Sequence, residues 1–141
     1  MAHYKKQFGI SGEMLTATYF LLKGYNVFQP IATSTRDLLV EIDQGKYYGV
    51  QVKSSMNPWK DPNRNKARYK FNLKHSSTND PYDQDIIHIF ACVDLKTKLI
   101  LFEENRGQKS KAATVGSFTK EAEEQSFIEM LKKIKYSLQL P

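Results

Sequence analysis

The chain has 141 residues, and its 21 Lys and Arg residues against 15 Asp and Glu residues give a net charge of +6. We expect one domain over residues 1–141, large enough to bury a hydrophobic core, and the positive charge favours an anionic partner. The single cysteine, Cys92, excludes an internal disulfide, and no apolar run is long enough to span a bilayer. We therefore expect a soluble, cytoplasmic protein without a secretory leader or a membrane segment.

A helix is the first predicted element, over Phe8–Lys23, with Ser11 or Gly12 near its start. Its predicted buried face consists of residues that recur at helical spacing: Met14, Leu15, Thr18, Leu21, Leu22 and Tyr25. Glu13 lies at the border of this face, where it is placed either to interact with the helix dipole or to face a site. A short strand at Asn26–Ile31 follows, and its proline predicts a position at a sheet edge.

The segment Arg36–Lys53 is predicted to form a two-stranded hairpin, because apolar and polar residues alternate along both halves. One side carries the apolar set Leu38, Val40, Ile42, Tyr48, Val50 and Val52. A three-residue loop, Gln44–Lys46, would place Asp37 opposite Lys53, with Gln51 one diagonal step away. An Asp and a Lys in these positions form either an ordinary cross-strand ion pair or part of a site.

The most basic part of the sequence is Asn57–Lys74, in which six basic residues against Asp61 give a local net charge of +5. Its predicted strand, Arg68–Leu73, alternates aromatic or apolar residues with polar, mostly basic ones. Basic residues next to aromatic ones suit contact with the backbone and grooves of DNA. The alternative is a solvated loop followed by an edge strand that its lysines keep soluble.

Two strands and a helix are predicted in the second half of the chain. A polar surface loop is predicted at Ser76–Asp85, followed by a buried central strand at Ile86–Val93. A turn then leads into a strand at Leu99–Phe102. Asn105–Ser117 is predicted to be a polar, glycine-containing connection, in which Arg106, Lys109 and Lys111 are secondary candidates for contact with DNA. A helix over Thr119–Ser137 completes the order. Together the elements predict an α/β fold, a mixed central sheet flanked by helices.

The order of these elements places Glu13 on the first helix, Asp37 at the start of the second strand and the Gln51–Lys53 segment (QVK) on the third. This arrangement over residues 8–54 resembles the PD-(D/E)XK nuclease superfamily, which implies a restriction-endonuclease-like fold. Gln51 departs from the pattern, because most members have an acid at that position. The sequence looks most similar to the homing endonuclease subgroup of this fold encoded in cyanobacterial introns, and next to archaeal Holliday-junction resolvases.

The resemblance implies a Mg²⁺-dependent endonuclease that hydrolyses phosphodiester bonds in duplex DNA, with Mn²⁺ as a substitute for Mg²⁺. Its catalytic residues would be Glu13, Asp37, Gln51 and Lys53. Asp37 would be the main metal ligand, joined by the Gln51 amide oxygen, the Val52 carbonyl and Glu13. Lys53 would hold and help to deprotonate the attacking water, or neutralise the charge that develops on the phosphate.

Contacts with double-stranded DNA are expected from one residue of the hairpin and from the basic segment: Arg36, Trp59, Lys60, Arg64, Lys66, Arg68 and Lys70. One active site per chain cuts one strand at a time, so we expect a homodimer or homotetramer. Alternative functions are a Holliday-junction resolvase and a catalytically inactive DNA-binding module, since the neutral amide of Gln51 weakens metal binding. A protein-interaction domain with an incidental Asp–Lys pair is a further alternative.

Overall fold

A computed structural model of the chain describes residues 2–60, 62 and 66–139, with side chains for 5–60, 62 and 66–135. Its helices are α1 (Ala2–Leu22) and α2 (Lys120–Gln139), and a short 3₁₀ turn precedes α2. Its strands are β1 (Asn26–Phe28), β2 (Leu38–Asp43), β3 (Lys46–Ser55), β4 (Arg68–Asn72), β5 (Ile89–Asp94), β6 (Leu99–Glu104) and β7 (Ser110–Thr114). Over the described residues, neither helix is long and apolar enough to cross a membrane.

Five strands form the main sheet in the order β1-β2-β3-β5-β6. The β3–β5 pair is parallel and the other pairs are antiparallel, so the predicted α/β fold with a mixed sheet is confirmed. Every residue of β5 is buried, as its continuous apolar run predicts, and β1 lies at a sheet edge, as the proline after it predicts.

The edge formed by β6 is covered by side chains of α2. The Glu123 carboxylate accepts the Ile100 N–H at 2.8 Å, and the Ser126 hydroxyl accepts the Phe102 N–H at 3.0 Å. These bonds satisfy donors that an edge strand would otherwise present to another chain. The first turns of α2 therefore close one side of the sheet.

The loop of the β2–β3 hairpin is shorter than the sequence predicts. Asp43 pairs with Lys46, so the loop consists of Gln44 and Gly45 only, with a φ of 78° at Gly45. A β-bulge between Glu41 and Asp43 then shifts the strand pairing by one further residue. The predicted three-residue loop is therefore wrong.

The bulge also changes the register of the hairpin. Leu38 lies opposite Val50, so Asp37, just before β2, lies alongside Gln51. The prediction that Asp37 lies opposite Lys53 is therefore wrong. Because the shift amounts to two residues, the apolar side chains still lie on one face, as the alternation predicts.

Helix α1 begins at Ala2, well before the predicted start at Phe8. Gly12, which was expected near that start, is buried in the middle of the helix and packs against β3. A Cβ added to Gly12 would lie 1.7 Å from Ser54 Oγ. The absence of a side chain thus lets α1 approach β3 closely, which is the physical reason for glycine at this position.

The buried face of α1 also differs from the predicted one. It follows Gly12, Thr16 and Phe20, and the Phe20 ring packs against the rings of Phe102 and Phe127 at 5.6 and 5.4 Å between centroids. These aromatic contacts, together with the close approach of Gly12, decide which side of the helix faces the sheet. Four residues of the predicted face are exposed, and the prediction is wrong for them: Met14 (60 %), Thr18, Leu21 and Leu22.

The two faces of the main sheet have different covers. Both helices pack on one face, and a small antiparallel sheet of β4 and β7 packs on the other through Tyr69 and Phe71, which cluster with Phe90. Strand β7 lies within Asn105–Ser117, so the prediction of an irregular connection there is wrong. Its sequence, SKAAT, lacks the large apolar side chains at alternate positions that indicate a strand.

Candidate active site

Asp37 lies immediately before β2 and is held against β3 by its main chain and by its side chain. Its N–H donates to the Val50 carbonyl at 2.9 Å, and its Oδ2 accepts the Val52 N–H at 2.8 Å. None of the described groups donates to its other oxygen, Oδ1, which keeps an acceptor for a ligand. The carboxylate is therefore fixed beside the Gln51–Lys53 segment.

Glu13 brings a second carboxylate to this place from α1. Burial raises the pKa of Glu13, and the neighbouring Asp37 charge raises it further. Burial also raises the pKa of Asp37, although the Val52 N–H and the Lys53 charge lower it. Two carboxylates that are partly withdrawn from water and repel each other favour a cation between them.

Both carboxylates line a cavity of about 510 Å³. Its other walls include Arg36, Lys6 of α1 and residues 29–34, which connect β1 to β2. Lys6 is not among the predicted site residues, because it precedes the predicted start of the helix at Phe8. Lys6 precedes Glu13 by seven residues, a spacing that places both on one side of a helix, so only a longer predicted helix would have revealed it.

Gln51 adds a buried oxygen alongside Asp37. Its amide Oε1 is buried and has no hydrogen-bond partner among the described residues. An unsatisfied buried acceptor costs about 1–3 kcal/mol, and ligation to a hard cation would remove that cost. In the described part of the chain, no three His, Cys, Asp or Glu side chains form a metal-binding group. The two carboxylates, the Gln51 amide oxygen and the Val52 carbonyl are nevertheless all hard oxygen donors, which is the kind of ligand that suits Mg²⁺ or Mn²⁺.

Lys53 lies on the same face of β3 as Gln51, two residues further along. Its Nζ donates to the Tyr82 hydroxyl at 3.0 Å rather than to the Asp37 carboxylate, and it lies 5.3 Å from the centre of the Tyr82 ring. The ammonium group is thus held in one orientation near the site. Lys53 lies near enough to Asp37 for its charge to lower the pKa of that carboxyl, but the two are not the cross-strand pair that the sequence suggests.

Tyr82 is the second residue that the sequence analysis missed. It lies in Ser76–Asp85, which was predicted to be a polar surface loop, yet its side chain is buried. Its ring contacts those of His75 and Phe90, with centroids 4.3 and 5.9 Å apart. No motif or spacing in the sequence connects it with Lys53, because only the tertiary packing brings the two together.

Arg36 is anchored at the wall of the cavity. Its Nε donates to the Ile86 carbonyl at 3.1 Å, and its aliphatic carbons pass 3.1 Å from the position that a Cβ on Gly49 would occupy. The Gly49 N–H donates to His88 Nδ1 at 2.9 Å. Burial and the Arg36 charge lower the pKa of His88, which keeps its ring a neutral acceptor. Arg36 is therefore a fixed positive charge next to Asp37.

The basic surface around β4 contains most of the predicted DNA-contact residues. Trp59 is 58 % exposed and pairs with Arg68 through two main-chain hydrogen bonds of 2.7 and 2.9 Å. Arg68 is half-buried, and Arg64 lies outside the described residues. The exposed lysines of this surface are Lys60, Lys66 and Lys70.

This basic surface lies on the same face of the main sheet as Gln51 and Lys53, whereas Glu13 lies on α1, which packs on the opposite face. In the parallel β3–β5 pair, Gln51 neighbours Phe90 and Lys53 neighbours Cys92. Phe90 and Cys92 also belong to the cluster on which the small sheet packs. Lys53 and the strand β4 therefore lie on one side of the main sheet.

Comparisons with known proteins show a similarity in fold and no match by sequence. No protein-family model matches the chain, and no curated protein matches it by sequence. Seven chains among solved structures match its fold. One is a bacterial homing endonuclease, I-Ssp6803I, with a TM-score of 0.63 and 16 % sequence identity, covering 96 % of this chain and 97 % of that chain. Over nearly its whole length, the chain is therefore similar in fold to that homing endonuclease.

Proposed function

We propose that this protein is a Mg²⁺-dependent endonuclease of the PD-(D/E)XK type, which hydrolyses phosphodiester bonds in duplex DNA at a preferred sequence. The similarity in fold to a homing endonuclease supports the proposal. The observation that carries it is the buried, unpartnered Gln51 Oε1 alongside the Asp37 carboxylate. Buried acceptors almost always have a partner, and a cation is the partner that also suits two carboxylates.

The cation would be held by Asp37, by the Gln51 amide oxygen, by the Val52 carbonyl and by Glu13, directly or through water. When bound, it would polarise the scissile phosphate and acidify a water. Mn²⁺ accepts the same oxygen ligands and would replace Mg²⁺. Because the Gln51 amide is neutral, the affinity for the cation would be lower than at a site with a third carboxylate.

The protein's own cations would act on the DNA. Lys53, oriented by the Tyr82 hydroxyl, would neutralise the negative charge that develops on the phosphate or hold the attacking water. Lys6 and Arg36, on the cavity wall, would contact the neighbouring backbone phosphates. The basic surface around β4 would hold the duplex against this face of the sheet.

Each chain contains one such site, and one site cuts one strand at a time. Cleavage of both strands therefore requires at least two chains, and we propose a homodimer or homotetramer. The partner of the assembled protein would be double-stranded DNA.

A cleavage assay on randomised duplex DNA tests the proposal. With Mg²⁺ or Mn²⁺ we expect cuts at a recurrent sequence, and with EDTA or Ca²⁺ we expect none. The Lys132→Ala variant removes an exposed lysine of α2 on the helix-covered face. It serves as a control for the loss of one positive charge elsewhere on the protein and should cut as the wild type does. Absence of cutting with every cation would contradict the proposed activity.

The neutral Gln51 supports one other function, that of a catalytically inactive DNA-binding module. The same assay distinguishes it, because such a module would bind duplex DNA in a salt-sensitive way and leave it intact. A four-way junction added as a competitor distinguishes a junction resolvase, which would cut the junction in preference to linear duplex.

A further inference from the structure

We propose that the small sheet of β4 and β7 enters the major groove of the DNA and that its outer face contacts base edges, with Lys70 and Asn72 as the residues that determine specificity. This inference rests on the proposed action on duplex DNA. It assigns a role to β7, which the sequence analysis did not recognise as a strand, and it separates base contacts from phosphate contacts within the basic surface.

The register of the small sheet gives it an inner and an outer face. The inner face carries Tyr69 and Phe71, which are buried against the main sheet. The outer face carries the side chains of alternate positions, where Lys70 pairs with Ala112 and Asn72 pairs with Ser110. All four of these residues are exposed. Because Ala112 and Ser110 are small, the side chains of Lys70 and Asn72 project beyond the ribbon.

The dimensions of the ribbon match the groove. Two paired strands lie about 4.8 Å apart, and five residues extend about 17 Å along a strand. The major groove of B-DNA is about 12 Å wide and admits a two-stranded ribbon. Side chains two residues apart on one face are separated by about 6.8 Å, which is the length of about two base pairs.

The charges at one end of the ribbon are suited to phosphates. Lys74 and Lys109 line, with Lys70, a depression of about 350 Å³, and none of the described carboxylates pairs with these three lysines. By contrast Lys111, on the inner face, forms an ion pair with Glu103 at 2.7 Å. Lysines left without an acidic partner indicate that this end of the ribbon meets an anion, and a duplex presents one on each side of the groove.

The chemistry of the two central side chains fits base edges. An asparagine amide pairs with the N6 and N7 atoms of adenine, and a lysine ammonium donates to O6 and N7 of guanine. Asn72 has no side-chain hydrogen bond within the described structure, so both its donor and its acceptor are available. Lys74 and Lys109, at the end of the ribbon, are placed for the backbone and carry no sequence information.

The experiment compares the cleavage preference of four proteins on a randomised duplex library: wild type, Asn72→Ala, Lys109→Ala and the control Lys132→Ala. Asn72→Ala should lose about 5- to 150-fold of its preference at one base position and keep the others. Lys109→Ala should weaken binding evenly over all sequences and reduce the salt slope of the affinity by about one. Lys70→Gln provides a second test, since its loss should fall about two base pairs from that of Asn72→Ala.

The outcomes separate this inference from the proposed function. A wild-type protein that cuts at a preferred sequence, with Asn72→Ala and Lys70→Gln variants that keep that preference at every position, would overturn the role of the ribbon alone. A wild-type protein that neither binds nor cuts duplex DNA would overturn both. All variants are at exposed positions, and circular dichroism confirms that each is folded before it is compared.

Discussion

The Val52 N–H donates a hydrogen bond of 2.8 Å to the Asp37 carboxylate, across the gap between the segment before β2 and the middle of β3. This bond uses one oxygen of Asp37 for structure, and none of the described groups donates to the other. It also ties the position of Asp37 to the strand that carries Lys53. A single hydrogen bond between a backbone N–H and a side chain thus holds Asp37 beside the part of β3 that carries Gln51 and Lys53.

The pKa of Asp37 has a consequence for stability. Burial raises this pKa above its ordinary value of 3.8, so the folded chain holds the proton more tightly than the unfolded chain. The contribution of Asp37 to stability is then largest below that ordinary value and is lost as the pH rises through the raised pKa. In EDTA, we expect Asp37→Asn to melt at a higher temperature than wild type at neutral pH, with a difference that shrinks towards pH 3.8. Equal melting temperatures of the two proteins at neutral pH would contradict a raised pKa of Asp37 in the folded chain.

The neutral ligand at Gln51 can be exchanged for a charged one. Gln51→Glu adds a carboxylate beside two that already repel each other, so the variant should be less stable than wild type in EDTA. Its Mg²⁺ affinity should be at least about tenfold higher, because affinity rises with the charge of the ligands. Isothermal titration with Mg²⁺ measures this change. Gln51→Met, which removes the oxygen without adding charge, should bind Mg²⁺ more weakly than wild type; unchanged titrations for both variants would exclude Gln51 from the site.

Lys53 should be needed for cleavage and not for binding. We expect Lys53→Ala to slow cleavage by about 10²–10³-fold, as the loss of one preorganised charge at a reacting centre does, while its DNA affinity stays close to that of wild type. Single-turnover cleavage and binding in Ca²⁺ measure the two effects separately. Tyr82→Phe keeps the ring contacts and removes the hydroxyl, so it should give a smaller loss of rate than Lys53→Ala. A Lys53→Ala protein that cuts normally would show that the site is assigned wrongly.

Gly12 and Gly9 provide a matched pair of substitutions on α1. A Cβ at Gly12 would meet Ser54 Oγ at 1.7 Å, whereas a Cβ at Gly9 would meet no described atom within 4 Å apart from its chain neighbours and the backbone of its own helix. Gly12→Ala should therefore destabilise the protein by about 1–3 kcal/mol and displace Glu13. Gly9→Ala should stabilise it by up to about 1 kcal/mol, because alanine favours a helix over glycine.

Urea unfolding measures both glycine effects. The double variant Gly12→Ala with Ser54→Gly should recover part of the lost stability, since it removes the atom that the new methyl group meets. If Gly12→Ala is as stable as Gly9→Ala, the close contact between α1 and β3 is not what positions Glu13.

Local patterns in the sequence were sufficient for the general architecture. The alternation in Arg36–Lys53 placed the apolar side chains on the correct face, and the continuous apolar run predicted the buried strand β5. Alternation could not fix the hairpin register, because a shift of two residues and a bulge leave the pattern unchanged. Strand β7 could not be predicted, because its residues are small or polar. A strand paired at a sheet edge needs no large apolar side chains.

Short motifs in the sequence were enough to name candidate site residues. Glu13, Asp37, Gln51 and Lys53 could be named from their places in the order of elements, and the fold brings them to one face or one cavity. Tyr82 could not be named, because only tertiary packing brings it to Lys53. Lys6 was not named because it precedes the predicted start of the helix, although it lies on the same side of α1 as Glu13. The direction in which α1 faces depended on the close approach of Gly12 to Ser54, which apolar periodicity does not show.

The most direct test of the proposed role of Asp37 compares wild type with Asp37→Asn for binding and cutting of the same duplex. Parallel samples contain Mg²⁺, Ca²⁺ or EDTA. We expect wild type to cut only with Mg²⁺, and Asp37→Asn to bind the duplex and leave it intact under all three conditions. Cutting by wild type in EDTA, or undiminished cutting by Asp37→Asn with Mg²⁺, would contradict the claim that Asp37 holds a cation for phosphodiester cleavage.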